Sequence, residues 1–193
     1  RVDQGLLDRV LVHVNDHLGI ACGQELIMDH DKFSVAAFQK MVAMISENYH
    51  YAFVDCPSHM RADTMSFLLN SSQIIVLLID FTIFSIRNAT LILQQLAQSL
   101  AKGQRIHVVA NRVGEYRKGE LSQEVVEKTI GHPIDLLIRY DGNTPLEFAN
   151  IGTPFVTQKS VLTDDVRSLC KLLAGNLKAD TTPKGFLQSL GFK

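Results

Sequence analysis

Residues 51–57 read Tyr-Ala-Phe-Val-Asp-Cys-Pro, an apolar run that ends in a carboxylate. An apolar strand with an aspartate at its C-terminal tip is how phosphate-binding α/β proteins orient a magnesium ion against nucleotide phosphates, the Walker B position. The complement of that carboxylate is a loop of the pattern G-x-x-x-x-G-K-[ST], whose backbone amides and lysine cradle the phosphates. The 193 residues contain no such loop. Half of a nucleotide site is legible, and the phosphate-facing half is missing.

Other chemistry-bearing residues are weaker. His13 and His17 stand four apart, the spacing that puts two imidazoles on one helix face, but Leu-Gly follows and no third ligand is evident. His59 near Asp55 reads as a solvated turn histidine rather than an acid–base partner. Cys56 reads as a small residue filling the turn rather than as a nucleophile, since no His/Asn set surrounds it. The segment Pro183-Lys-Gly-Phe-Leu-Gln-Ser-Leu-Gly-Phe-Lys193 places four large apolar residues between two lysines, the composition of a weak amphipathic helix.

The elements that must position Asp55 follow from hydrophobic period and punctuation. Helical spacing is expected over residues 4–15, 33–48 (with Asp31 as N-cap), 62–70, 84–102 (with Gly103 just beyond its end), 121–130, 145–150 and 161–177. Asp164 and Asp165 fall in the first turn of the last helix, where carboxylates suit the dipole. Strands are expected over 17–21, 51–55, 73–80, 105–111 and 133–138, with a short extended piece at 154–156. Apolar strands alternating with amphipathic helices predict an α/β fold, a Rossmann-like, doubly wound, mostly parallel sheet with helices on both faces. Ligands of such sheets sit beyond the carboxyl ends of the strands. Asp55, Asp80 and Asn111 all fall at such ends.

Composition bounds the rest. A chain of 193 residues with 46% hydrophobic and 20% charged residues can bury a core. A formal net charge of −1 offers no electrostatic footprint for nucleic acid, and none is expected as a partner. Cys22, Cys56 and Cys170 form no C-x-x-C pair, which suits reduced cytoplasmic thiols. The longest apolar run, 74–79, is far too short to span a bilayer. The first residue is Arg1, and the expectation is a segment upstream of it within a longer gene product.

The order of these pieces resembles the ParA/MinD family of deviant-Walker ATPases. Tyr51-Ala-Phe-Val-Asp-Cys-Pro57 is similar to the family's Walker B strand and D-x-P turn. Ser85-Ile-Arg-Asn-Ala89 is similar to its S-x-R-x-A helix opening, and Val108-Val-Ala-Asn-Arg112 to its strand ending in Asn-Arg. Ile138-Arg-Tyr-Asp141 with Ala149-Asn-Ile-Gly-Thr-Pro154 resembles the "I-P-x-D … A-x-x-G-x-P" close of the nucleotide pocket. The stretches around Asn111–Gly114, Gly119–Leu121 and Gly152–Ser160 resemble most the CpaE/TadZ branch, which localises Flp, or tight-adherence, pilus assembly.

The resemblance implies a P-loop NTPase fold that binds ATP/ADP and Mg²⁺ and forms a homodimer. It implies Asp55 as catalytic and metal-facing residue, with Pro57, Asn111, Arg112, Arg139, Tyr140 and Asp141 around the nucleotide. It further implies pilus-assembly or polar-localisation proteins as partners and a cytoplasmic location at the cell pole or inner-membrane surface. A tail over 180–193 would make weak peripheral membrane contact, beside residues 1–179 as the C-terminal portion of the ATPase domain. Two departures stand out. The N-terminal strands that carry the Walker A loop are absent from this sequence, so the chain alone is expected to be inactive as an ATP hydrolase. Arg139 also stands where the family has proline, as a planar cation able to lie on a base. The alternative readings are a non-catalytic scaffolding module on the same fold and a ParA-like partitioning protein.

Overall fold

The computed structural model describes residues 3–22, 34–57, 60–116 and 118–175. The chain divides into two compact units, Arg1–Ser71 and Ser72–Lys193.

In the first unit, α1 (Gln4–Val10) begins on the N-cap Asp3, whose side chain accepts the Leu6 N–H. Helix was expected to run on to residue 15, but the chain turns extended at Leu11. Strand β1 (Leu11–Asn15) pairs antiparallel with β2 (Leu18–Ala21) as a hairpin. Three β-branched valines at alternate positions 10, 12 and 14 favour the pleated surface over a helix. Helix α2 (Val35–Asn48) is capped by Ser34. The Asp31 proposed as its cap lies outside the described residues. Helix α3 spans Ala62–Ser71, and Phe67 meets Phe38 of α2 edge to face with ring centroids 6.2 Å apart.

The strand expected over 51–55 is not formed. Residues 51–57 carry no ladder pairing, and Phe53 is 77% exposed. An apolar run becomes a strand only when a neighbouring strand takes up its backbone hydrogen bonds as a ladder, and residues 51–57 are in no ladder.

The second unit holds the predicted parallel sheet. Strands β3 (Ile74–Ile79), β4 (Arg105–Val113) and β5 (Leu136–Arg139) lie in the order β3-β4-β5, both pairs parallel. Between them run α4 (Ile83–Ser99) and α5 (Gln123–Ile130), with α6 (Thr144–Asn150), a 3-10 turn (Phe155–Thr157) and α7 (Val161–Ala174) after β5. The period-2 alternation of β4 splits the core in two. Val108 and Ala110 face Ile86, Ala89 and Leu93 of α4 and Val126 and Ile130 of α5. Val109 faces the other way, onto Ile138 and Leu162 of α7. Helices therefore cover both faces of the sheet.

Local chemistry sets the ends. Ser122 caps α5 at its start, and Gly131 closes it at φ +68°, a left-handed conformation that glycine adopts without a Cβ penalty. Helix α4 stops at Ser99 with Leu100 as C-cap, short of the expected Gly103, which sits in the following turn at φ +96°. The segment expected to be extended at 154–156 is the 3-10 turn.

Candidate functional site

Parallel pairing places the three strand tips of the second unit side by side. Ile79 is in register with Ala110, so the following residues, Asp80 and Asn111, stand level at adjacent tips. Val113 is in register with Arg139, so the end of β4 lies beside residues 139–141.

Asp80 is committed to building the helix that follows it. Its backbone N–H donates to Ser85 Oγ (2.9 Å), and its Oδ1 accepts from the Thr82 N–H (3.0 Å) and hydroxyl (2.5 Å). Thr82 is in turn the N-cap of α4. Ser85, the first residue of the S-x-R-x-A segment, thus fixes the tip of β3.

Asn111 is half-buried, and its Oδ1 accepts the Arg112 N–H at 2.9 Å. A backbone N–H can only donate, so the carboxamide oxygen is the atom facing Arg112 and the NH₂ group points elsewhere. Arg112 holds φ +60°, a left-handed conformation that a side-chain-bearing residue adopts only when its surroundings impose it. Its guanidinium pairs with Glu115 and lies over the Tyr140 ring, 5.9 Å from the centroid. That hydrogen bond and charge hold the Arg112 pKa above its ordinary value. The loop beyond is tied down by Glu120, whose carboxylate accepts the Gly114 N–H (3.0 Å) and the Tyr116 N–H (3.1 Å). Leu121 N–H donates to Phe81 O (3.1 Å), joining this loop to the β3 tip.

Residues 139–141 are each fixed separately. Arg139 donates three hydrogen bonds to the buried Asp165 of α7: from its backbone N (2.9 Å), Nε (2.9 Å) and a terminal nitrogen (2.6 Å). The hydrogen bonds from Arg139 side chain hold the Asp165 carboxyl below the usual range, against the opposing effect of burial. Tyr140 N–H donates to Val113 O (2.9 Å). Asp141 accepts the Asn143 and Thr144 N–H groups (3.2 and 2.9 Å) at the start of α6, and the Thr144 contact, foremost, lowers its pKa.

The structure therefore brings Asn111, Arg112, Arg139, Tyr140 and Asp141 into one cluster at the carboxyl edge of the sheet. Asp55 and Pro57 belong to the other unit, exposed in the irregular segment 51–57. Beside Asp55, the Cys56 thiol is pushed up by desolvation and then by the Asp55 charge, and it donates to Val54 O at 3.7 Å. His59 lies outside the described residues. Sequence reasoning missed Asp165, Glu115 and Glu120. Asp165 is not the dipole-facing carboxylate that its sequence position suggests, since it is buried and paired with Arg139, whereas Asp164, next to it, stays in the exposed first turn.

The Tyr140 ring and the Arg112 guanidinium over it are planar groups of the kind that stack on a flat heteroaromatic base. The described residues offer no group of three or more His, Cys, Asp or Glu able to hold a metal ion by themselves. A groove of about 560 Å³ lies elsewhere, at the amino edge of the sheet.

No protein-family model matches the sequence, and no curated protein sequence matches it. Solved structures do. The ParA family ATPase from Chlorobium tepidum TLS superposes with a TM-score of 0.76 at 21% identity, covering 88% of this chain and 70% of that one. The Pyrococcus furiosus cell division ATPase MinD gives 0.66 at 19%, covering 84% and 71%. A chain of the MinC:MinD cell division complex of Aquifex aeolicus gives 0.62 at 21%, covering 74% of this chain and 60% of that one. At these identities the likeness is one of fold, and the fold of this chain is that of the ParA and MinD ATPases.

Proposed function

We propose that this chain is the greater part of a nucleotide-switched ATPase domain of the ParA/MinD kind, acting in the assembly or polar positioning of a Flp-type pilus. The observation that carries the reading is the cluster of Asn111, Arg112 and Tyr140 at the carboxyl edge of a parallel sheet, in a fold shared with ParA and MinD ATPases. In this reading ATP or ADP lays its base against Tyr140 and Arg112, with the Asn111 amide on the base edge. Residues 139–141 close the pocket, held by Asp165 and the start of α6. The base half of the site fits the residues present. The phosphate half does not: with no G-x-x-x-x-G-K-[ST] loop in the 193 residues, the cradle would come from outside this sequence. Bound Mg²⁺ would neutralise phosphate charge, and Asp55, two residues before Pro57, is the carboxylate proposed to face it.

Residues 1–179 would form the C-terminal portion of the domain and 180–193 an appended tail. The reading includes an ATP-dependent homodimer and a protein partner, in line with the MinC:MinD complex among the similar structures. No helix among the described residues is long and apolar enough to cross a membrane. The cytoplasm, at the pole or inner-membrane surface, is the proposed location, with weak lipid contact through the tail.

The test is fluorescent-ADP binding by the full-length polypeptide that contains this sequence. Loss of one base-edge hydrogen bond in Asn111→Ala should weaken binding about 5–10-fold. Asp55→Ala should abolish the Mg²⁺ dependence. Unchanged affinity in both variants would sink the nucleotide reading. A scaffolding module without catalysis is the second reading, favoured by the engagement of Arg139 with Asp165. Tight nucleotide binding without turnover, in the presence of the partner, would select it.

A further inference from the structure

The amino edge of the sheet carries a groove that the nucleotide reading does not use. Leu93, Ala97 and Leu100 of α4 and its end, Ile106 at the start of β4, and Ile130 and His132 at the end of α5 line about 560 Å³ of open space. The volume is that of a ligand-sized cleft. Its lining contains no Asp, Glu, Lys or Arg. With Thr90, Gln94 and Thr129 beside these apolar residues the groove is uncharged and of mixed polarity, and an uncharged segment with large apolar side chains among small polar ones is the complementary occupant.

The last described residues of the chain end at that edge. Helix α7 starts at the carboxyl edge, where Asp165 holds Arg139, and its later Leu169 packs into the cluster around Val109 and Leu136. It thus runs back along the sheet. From Asp165 to Ala174 it rises about 14 Å at 1.5 Å per residue, whereas Leu136–Arg139 spans only about 10 Å. Gly175 accordingly leaves at the amino edge, the edge of the groove. The two lie on opposite faces, and residues 176–185 reach up to about 33 Å when extended. That is enough to round an edge one helix diameter, about 10–12 Å, deep on each face. Residues 186–192, Phe-Leu-Gln-Ser-Leu-Gly-Phe, then follow without a charge. Phe186, Leu187 and Leu190 fall at i, i+1 and i+4, one side of a helical turn.

We propose that the groove between α4 and α5 is the docking site of the chain's own residues 186–192. A short tether gives the tail an effective concentration in the millimolar range, which no free partner matches at low protein concentration. The same apolar residues cannot be buried in this groove and in a lipid interface at once, so docking competes with membrane contact. This site stands independently of nucleotide binding.

Hydrogen exchange by mass spectrometry on the full chain tests it, at low and high protein concentration. Backbone amides over 96–106 and 129–134 should exchange at least about tenfold faster in Phe186→Ser/Leu190→Ser than in wild type, equivalent to 1.4 kcal/mol. Ala97→Arg, on the exposed groove side of α4, should release the same amides and leave the core of β4 protected. Equal exchange in wild type and tail variant overturns the proposal. Protection that rises with protein concentration assigns the groove to a second copy and also overturns it. If the tail variant loses binding to anionic phosphatidylglycerol vesicles while groove exchange is unchanged, the tail is a lipid anchor and the proposal fails.

Discussion

Removing Asp165 tests whether the pocket-closing segment is held by tertiary structure. Asp165 is 8% exposed, and its carboxylate receives three hydrogen bonds from Arg139, one of them from the backbone. Hydrogen bonds to a charged group contribute about 1.5–3 kcal/mol each when shielded. The Arg139 side chain is 55% exposed, so water recovers much of its share when the partner is lost. The backbone N–H at the end of β5 and the space left in place of the carboxylate remain as costs. Asp165→Ala is therefore expected to destabilise by about 2–3 kcal/mol, read as a lower urea midpoint by circular dichroism or a melting temperature lower by roughly 5–10 °C.

Asp165→Asn keeps the volume and one acceptor oxygen and should cost about half as much. The folded-state pKa of Asp165 is lowered, so its contribution is fully present above the unfolded value near 3.9 and is lost as pH falls through the folded value. The gap between wild type and Asp165→Asn should thus be constant from pH 7 to about 5 and close below about pH 4. Asp165→Ala within about 0.5 kcal/mol of wild type, the range of an ordinary surface substitution, would refute the reasoning. A gap undiminished at pH 3 would do the same.

Arg112 combines a left-handed backbone with a pinned side chain, so Arg112→Gly should be less destabilising than Arg112→Ala, both losing the Glu115 and Tyr140 contacts. Equal urea midpoints would show that φ +60° is not maintained in solution. Gly131→Ala should cost about 1 kcal/mol through backbone strain alone, since nothing lies within 4 Å of the added Cβ; a neutral result by the same assay would contradict the left-handed C-cap. Thr82→Ala should cost about 1 kcal/mol by uncapping α4, with faster amide exchange confined to residues 83–86. Val109→Ala, wholly buried under α7, should cost about 2–3 kcal/mol, and a smaller loss would mean that the α7 face repacks.

What the sequence by itself determined is what local physics encodes. The uninterrupted Ile-Ile-Val-Leu-Leu-Ile of β3 and the apolar run of β4 read as strands of a buried sheet, and Gly131 marks a helix end through bonds within four residues. Those signals suffice for an α/β parallel sheet, and they place Asn111 and residues 139–141 at strand tips. Tertiary structure decided everything that depends on a distant partner. Residues 51–55 have a strand's composition, but a ladder needs a neighbouring strand, and no sequence window contains one. Residues 11–15 continue a helix stripe in sequence while their alternate valines suit a strand, and pairing with Leu18–Ala21 settles it. Asp165 sits 26 residues from Arg139, and a helix-start aspartate looks like a dipole partner until folding lays α7 along β5. The Arg139 hydrogen bonds then hold that carboxylate ionised against the cost of its burial, a property of the packed sheet and of no local segment.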